Sequence, residues 1–259
     1  MSDFALRLVP VPMFNDNYLW LLIAKNGATI AIDVGDYAVL TDYLQAQQLQ
    51  LTTVLITHHH RDHIAGLIEI KKQYPEVAIY GHSSINGITH PMVGGEVLNI
   101  TNIGRLLVMD VAGHTHIHLA YYHLSEKILF CGDTLFSAGC GRTVDGNTRQ
   151  LYHALEKIKL LANDTRLCPA HEYTLSNLEF ARAIEPNNSY TRDYQTWAIN
   201  QRAHNQPTLP ARLENEKNYN PFLRCHLLKN RIETLTQKTY KTTAELFIAL
   251  RDYKNNWPY

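Results

Sequence analysis

Short apolar runs alternate with stretches of helical periodicity over the first two-thirds of the chain. Two β-rich runs, residues 18–24 and 29–34, flank Lys25-Asn26-Gly27, and this combination predicts a β-hairpin. From residue 36 to about residue 49 apolar side chains recur at helical spacing, and Asp36 is placed to cap the helix. The same criteria predict further strands at 52–57, 77–80, 106–111, 117–123, 127–131 and 166–168, and helices at 65–74 and 148–161.

The pattern changes after about residue 172. Residues 175–184, 190–204 and 244–253 carry helical periodicity, and prolines separate these segments. Thr242 and Glu245 have the spacing of a capping box, in which each side chain binds a free backbone amide of the first helical turn. We therefore predict an α/β protein with two domains, a mixed α/β domain over residues 1–172 and a mostly helical domain over residues 173–259.

Composition narrows the class of protein. Among 259 residues there are 24 basic and 24 acidic side chains, and this balance argues against broad electrostatic capture of nucleic acid or of an anionic membrane. No apolar run is long enough to predict a membrane span, and residues 1–18 lack the pattern of a signal peptide. The four cysteines are too scattered for a disulfide framework, so we expect a cytoplasmic protein.

The histidines are unevenly distributed. Seven of the 14 lie within residues 58–63 and 114–118, where uniform scattering would place about 0.6. The first cluster, Thr57-His-His-His-Arg-Asp-His63, directly follows a predicted strand. In an extended segment residues two apart project to the same side, so His58 and His60 can share one target while His59 faces away. Asp62 and His63 follow where the chain turns, and can point to a second target nearby.

Three further segments carry candidate ligands near predicted strand ends. These are His114 in Ala-Gly-His-Thr, Asp133 in Cys-Gly-Asp-Thr, and His171 in Pro-Ala-His-Glu. Each taken alone is more typical of a turn cap or a structural histidine. His116 and His118 are expected to be packing or surface residues. Asp33 ends a strand in the same domain, where it either initiates a turn or orients a ligand.

Imidazole and carboxylate together suit zinc, iron or manganese. Four candidate ligands in six residues exceed what one metal ion readily uses, so two adjacent metal ions explain the cluster better. A solvated histidine-rich loop or a single structural zinc would leave part of the cluster without a purpose.

The order and spacing of THHHRDH, GHT, GDT and AHEY resemble the metallo-β-lactamase fold superfamily. Within it, four segments resemble the hydroxyacylglutathione hydrolase (glyoxalase II) family: GDTLFSAGCGR (132–142), PAHEYTLSNLEFA (169–181), NPFLR (220–224) and RDYK (251–254). The resemblance implies an αββα sandwich as the catalytic domain, followed by a helical substrate-binding domain. It covers essentially the whole chain.

The resemblance also implies a ligand set for two divalent metal ions per chain. One ion would take His58, His60 and His114, the other would take Asp62, His63 and His171, and Asp133 would bridge both. Asp62 and Asp133 would be the catalytic carboxylates. Zinc is the expected metal, with iron and manganese as alternatives.

The implied reaction is hydrolysis of an S-(2-hydroxyacyl)glutathione thioester, with S-D-lactoylglutathione giving glutathione and D-lactate, the second step of methylglyoxal detoxification. A metal-bridging hydroxide would attack the carbonyl. A thiol has a pKa of about 8.5, so its thiolate leaves without a strong general acid, and none is evident in these motifs.

Glutathione binding is implied for Arg142, Tyr173, Arg251 and Lys254. The last two are three positions apart on a predicted helix and so share a face suited to a carboxylate; without the resemblance they would be a solvated helix face. Val144 departs from the family, which usually has an aromatic residue there. We expect a monomer that binds a small-molecule glutathione thioester and neither nucleic acid nor membrane.

Three alternatives remain at this point. The first is another hydrolase of the superfamily, such as a β-lactamase or a phosphodiesterase. The second is a glutathione persulfide dioxygenase with one iron. The third is a non-enzymatic module that binds metal or a glutathione conjugate.

Overall fold

A computed structural model describes residues 6–258, so the first five residues of the N-terminal segment examined for a signal peptide lie outside the described residues. Within this range the strands form two six-stranded sheets and one two-stranded sheet. The strands are β1 (Arg7–Met13), β2 (Asn17–Ile23), β3 (Ala28–Ile32), β4 (Gln50–Leu55), β5 (Ala78–Gly81), β6 (His90–Pro91), β7 (Val97–Ile100), β8 (Gly104–Asp110), β9 (Leu119–His123), β10 (Ile128–Gly132), β11 (Leu135–Phe136), β12 (Gly139–Cys140), β13 (Arg166–Pro169) and β14 (Ala211–Arg212). The α-helices are α1 (Tyr37–Ala46), α2 (Arg61–Ile64), α3 (Leu67–Gln73), α4 (Thr148–Lys159), α5 (Thr174–Ile184), α6 (Ser189–Ala203), α7 (Leu213–Tyr219), α8 (Lys229–Thr236) and α9 (Thr243–Asn255).

The chain divides into two compact units, and the first comprises residues up to 110 together with 117–132. Its first sheet has the order β1-β2-β3-β4-β5-β6, antiparallel from β1 to β3 and parallel from β3 to β6. Strands β2 and β3 are buried along their whole length, as expected for strands covered on both faces. The histidine cluster follows directly after the carboxyl end of β4, one of the parallel strands.

Strands β7 to β10 form an antiparallel meander in the same unit and contribute to the second sheet. The strands predicted at 106–111 and 127–131 are confirmed as β8 and β10. The strand predicted at 117–123 begins only at Leu119, because the chain bends through the residues before it.

The second unit comprises residues 111–116 and 133 onward, and contains α4 to α9. The predicted helices at 175–184, 190–204 and 244–253 are confirmed as α5, α6 and α9. The capping box of α9 is confirmed as well, since the Glu245 amide donates to Thr242 Oγ1 and the Thr242 amide donates to the Glu245 carboxylate. The predicted domain boundary at residue 172 stays a prediction.

Some elements carry no readable local pattern. Proline normally argues against a strand, but β1 contains Pro10 and Pro12. Both prolines are tolerated because β1 is an edge strand that pairs only with β2. Helix α7 and the hairpin β11–β12 are short, and tertiary contacts hold them. Among residues 6–258, none of the helices has the length and apolar character needed to cross a bilayer.

Candidate metal centre

The histidine cluster runs from the end of β4 into α2. His58 and His60 lie on one side of the extended segment, with ring centroids 4.6 Å apart, as predicted. The ring of His63, in α2, lies 4.1 Å from that of His58, whereas the ring of His59 is 6.4 Å away from it. His58 and His63 are fully buried. Imidazoles this close together in a buried setting are typical of a metal site.

Asp33 orients two of these histidines. Its carboxylate accepts hydrogen bonds from the Thr57 amide (2.8 Å) and the Thr57 hydroxyl (2.8 Å), and lies 3.0 Å from His63 Nδ1. The Thr57 hydroxyl oxygen also lies 3.1 Å from His58 Nδ1. Both Nδ1 atoms thus face protein partners, so Nε2 is the atom that each ring offers to a metal. Of the two readings of Asp33, the geometry favours the orienting one.

Asn17 contacts a candidate metal ligand, and the sequence analysis did not identify it. It lies at the start of β2 and is 7% exposed, and its amide Nδ2 donates to Asp62 Oδ2 at 2.9 Å. This bond fixes the orientation of the Asp62 carboxylate. The only signal in the sequence is a polar residue at the beginning of an apolar strand, which is a common arrangement without any such role.

His114, Asp133 and His171 converge in the second unit. The two oxygens of Asp133 face different histidines: Oδ2 lies 3.4 Å from His114 Nε2, and Oδ1 lies 3.3 Å from His171 Nε2. His114 Nδ1 lies 2.6 Å from the carbonyl oxygen of Arg142, so its Nε2 also faces the centre. A Cβ atom on Gly141 would lie 2.0 Å from the Asp133 carbonyl oxygen, which explains the glycine at that position.

The predicted ligands fall into two groups. Within each group one nitrogen or oxygen atom per residue lies within 4.8 Å of the others; the groups are His58, His60, His114 and Asp133, and Asp62, His63 and His171. Five imidazoles and two carboxylates are a borderline-to-hard donor set that fits two divalent cations. The residues present therefore fit a binuclear centre, and their chemistry does not distinguish zinc from iron or manganese.

The four residues implied for glutathione binding lie in different environments. The Tyr173 ring stacks on His171, with centroids 4.7 Å apart and planes at 7°. Arg142 is exposed. Arg251 and Lys254 are each 4% exposed and share one face of α9, where both cations lie over the ring of Phe222. They are therefore not a solvated helix face.

The hairpin β11–β12, residues 135–140, links Asp133 to Arg142 and is held by buried side chains. The Glu216 carboxylate accepts from the Ser137 hydroxyl (2.7 Å), the Ala138 amide (2.8 Å), the Tyr219 hydroxyl and Asn220 Nδ2. Arg251 Nη1 donates to the Cys140 carbonyl oxygen (3.0 Å), and Lys254 donates to the Asn177 side chain, whose Nδ2 donates to the Ser137 carbonyl oxygen. The hairpin is thus fixed at most of its backbone positions.

Glu216 makes stability depend on pH. Complete burial raises its pKa to about 7 from 4.5, although four hydrogen bonds oppose the shift. Because the folded state keeps the proton and the unfolded state releases it, this group should cost the folded protein about 3 kcal/mol as pH rises from 4.5 to 7. Glu216→Gln should remove that loss, since a glutamine can pair with the same four groups. Urea unfolding at pH 5 and pH 7.5 should show that the free energy of unfolding of the variant, relative to the wild type, is higher at pH 7.5. An equal difference at both pH values would contradict the raised pKa of Glu216.

His116 and His118 are a surface and a packing residue, as predicted. His116 is exposed and its Nδ1 lies 2.9 Å from Asp145 Oδ2. His118 is fully buried and stacks on His58, with centroids 4.6 Å apart. The exposed Val144, in the segment after Arg142, donates its amide to the His114 carbonyl oxygen.

Two family models match the chain side by side. The metallo-beta-lactamase superfamily model matches residues 15–171, and the model of the hydroxyacylglutathione hydrolase C-terminus matches residues 172–257. Together they span nearly all of the residues that the structure describes.

Curated proteins named hydroxyacylglutathione hydrolase are similar to the chain over almost its full length. The protein of Aliivibrio fischeri is 38% identical over 254 residues, covering 97% of this chain and 100% of its own. That of Shewanella halifaxensis is 40% identical with the same coverage, and that of Yersinia enterocolitica is 41% identical over 85% of this chain and 87% of its own.

Solved structures share the fold at lower identity. The crystal structure of ETHE1 from Myxococcus xanthus superimposes with a TM-score of 0.67 at 20% identity, covering 98% of this chain and 92% of that one. The BLEG-1 B3 metallo-beta-lactamase gives a TM-score of 0.63 at 20% identity, covering 84% of this chain and 99% of that one. At this identity the likeness concerns the fold alone, and it agrees with the predicted fold class.

Proposed function

The chain belongs to the hydroxyacylglutathione hydrolase family of the metallo-β-lactamase superfamily, and from this we propose that it hydrolyses S-(2-hydroxyacyl)glutathione thioesters. S-D-lactoylglutathione is the proposed substrate, with glutathione and D-lactate as products, as in the second step of methylglyoxal detoxification. The observation that carries the proposal is the pair of His/Asp groups in a chain whose C-terminal region also matches the family. A β-lactamase or a phosphodiesterase would not account for that C-terminal match.

We propose a division of ligands between two cations, most simply zinc. His58, His60 and His114 would hold one, Asp62, His63 and His171 would hold the other, and Asp133 would be shared by both. The bridging role is supported by the two Asp133 oxygens, which face His114 and His171 respectively. When bound, two such cations lower the pKa of water toward about 7 and so supply a nucleophile at neutral pH.

The chain itself contributes orientation. Asp33 and Thr57 hold the rings of His63 and His58, and Asn17 holds the Asp62 carboxylate. These groups are ordered before substrate arrives, so little reorganisation accompanies the reaction. The leaving thiolate needs no strong general acid, which suits a centre built from imidazoles and carboxylates.

For glutathione we propose Arg142, Tyr173, Arg251 and Lys254 as the binding residues. Support comes from the shared face of Arg251 and Lys254 in α9 and from the stacking of Tyr173 on His171. Two cations on one face of a helix are a suitable receptor for a carboxylate, because each can form a charge-assisted hydrogen bond with it.

Lys254 should make substrate binding depend on pH. Burial, and then the neighbouring Arg251 charge, lower its pKa to about 7 from 10.5. The ammonium is therefore present below pH 7 and lost above it, so KM for the thioester should rise about fivefold between pH 6 and pH 8.5. Lys254→Met should flatten this profile, whereas Lys229→Met, at an exposed position of α8, should retain it. Identical profiles of KM against pH for wild type and Lys254→Met would contradict a role of Lys254 in substrate binding.

The direct test is steady-state hydrolysis of S-D-lactoylglutathione by metal-loaded protein, with metal content measured on the same sample. We expect two equivalents of metal per chain and a kcat/KM well above that for S-acetyl coenzyme A. Equal rates with unrelated thioesters would remove the substrate assignment. One equivalent of iron in fully active protein would instead favour the persulfide dioxygenase alternative.

We further propose a catalytic domain over residues 1–172 and a substrate-binding domain over residues 173–259, supported by family models that meet at residue 172. We also propose that the protein is a cytoplasmic monomer. The balanced charge supports the proposal that it binds neither nucleic acid nor membrane.

A further inference from the structure

Phe14 has an unusual combination of properties. It lies in the three-residue turn between β1 and β2, its side chain is 57% exposed, and its backbone is left-handed with φ of 55°. Single exposed apolar residues are ordinary. An aromatic residue in the left-handed region is not, because the Cβ atom crowds the following carbonyl at a cost of about 1–2 kcal/mol. Among residues 6–258, Phe14 is the only large apolar residue that is both exposed and left-handed.

The neighbours of Phe14 connect it to the metal centre. A Cβ atom on Gly35 would lie 3.0 Å from Phe14 Cε2 and 1.9 Å from the Asp62 carbonyl oxygen. The phenyl ring and Asp62 therefore flank the same glycine. The turn is also tied to Asp62 through Asn17, which ends it and donates to the Asp62 carboxylate. Met13, on the other side of the turn, is buried. The residues on both sides of the turn are thus anchored, and the ring lies near a predicted metal ligand.

We propose that Phe14 is a specificity-determining residue that contacts the acyl substituent of the thioester. This inference rests on the function proposed above. Hydrolysis requires the thioester carbonyl to lie at the metal centre, and the acyl substituent is one bond from that carbonyl. An exposed phenyl ring beside Asp62 is therefore placed to cover the substituent and favour larger apolar or aromatic groups over small polar ones. Backbone strain kept at such a position is typical of a functional residue.

The test compares two substrates in one variant. Phe14→Ala keeps the backbone strain and removes the ring. We expect kcat/KM for S-mandeloylglutathione, whose acyl group carries a phenyl ring, to fall about tenfold relative to kcat/KM for S-D-lactoylglutathione. Phe14→Leu should retain most of the preference. Tyr190→Ala, which removes an aromatic ring of similar exposure from α6, should leave the ratio unchanged.

A binding measurement separates the ring's contact from its effect on rate. By calorimetry, Phe14→Ala should weaken S-hexylglutathione, which carries an apolar group on sulfur, and leave glutathione itself unchanged. The proposal would be overturned if Phe14→Ala lowered kcat/KM equally for both substrates and affinity equally for both ligands, or lowered neither. In that case hydrolysis by the wild type would still support the proposed function. A wild type that neither hydrolyses these thioesters nor binds these glutathione ligands would overturn the proposed function and this inference with it.

Discussion

Asp133→Asn should abolish most activity and release metal at the same time. The substitution keeps the shape of the side chain and replaces a charged carboxylate, which we propose is shared by two cations, with a neutral amide. Residues that only orient metal ligands typically cost 10–100-fold in affinity or activity when mutated, so losing a ligand shared by two cations should lower kcat/KM by more than about 100-fold. Metal content, measured by plasma emission after dialysis, should fall below two equivalents per chain.

The matched control is Asp193→Asn, which makes the same charge change at an exposed residue of α6 whose carboxylate lies 3.6 Å from Arg192 Nε. It should retain two equivalents of metal and the wild-type rate. Full activity in Asp133→Asn would end the bridging role, whereas loss of activity with unchanged metal content would limit Asp133 to a part in the chemical step.

Asp33→Asn should have the second largest effect, acting through the protonation of His63. In the wild type the Asp33 carboxylate lies 3.0 Å from His63 Nδ1, so its charge favours a proton on Nδ1 and a free lone pair on Nε2 for a metal. The new amide can still accept from the Thr57 amide, but its NH₂ group would face Nδ1 and move the proton to Nε2. The ring would then be unable to bind the metal through Nε2, and metal affinity at one of the two positions should fall about 10–100-fold.

Nitrogen NMR of the metal-free protein should detect the exchanged tautomer, and titration with a limiting metal should show one strong and one weakened site. Asp36→Asn is the control, because Asp36 caps α1 three residues away and asparagine caps equally well. A variant with an unchanged tautomer and two strong sites would contradict the mechanism.

The sequence was most informative where short-range pattern and chemistry coincide. Alternation along the segment after β4 placed His58 and His60 on one side, because an extended backbone permits no other arrangement. The periodic helices α5, α6 and α9 and the capping box of α9 were also readable, since each depends on residues within a few positions of one another. A resemblance spread over the whole chain identified the family.

Tertiary structure decided the features that depend on distant residues. Asn17 and Asp62 are 45 positions apart, and Glu216 and Ser137 are 79 apart, so no local signal announces either hydrogen bond. The burial of Arg251 and Lys254 reversed the expectation of a solvated face, because Phe222 and the Cys140 carbonyl are brought to α9 only by folding. The sequence by itself determined the family, and its histidine clusters indicated the candidate metal ligands. The tertiary structure determined which nitrogen His58 and His114 turn toward protein partners and raised the pKa of Glu216, because both depend on burial and on hydrogen bonds made across the chain.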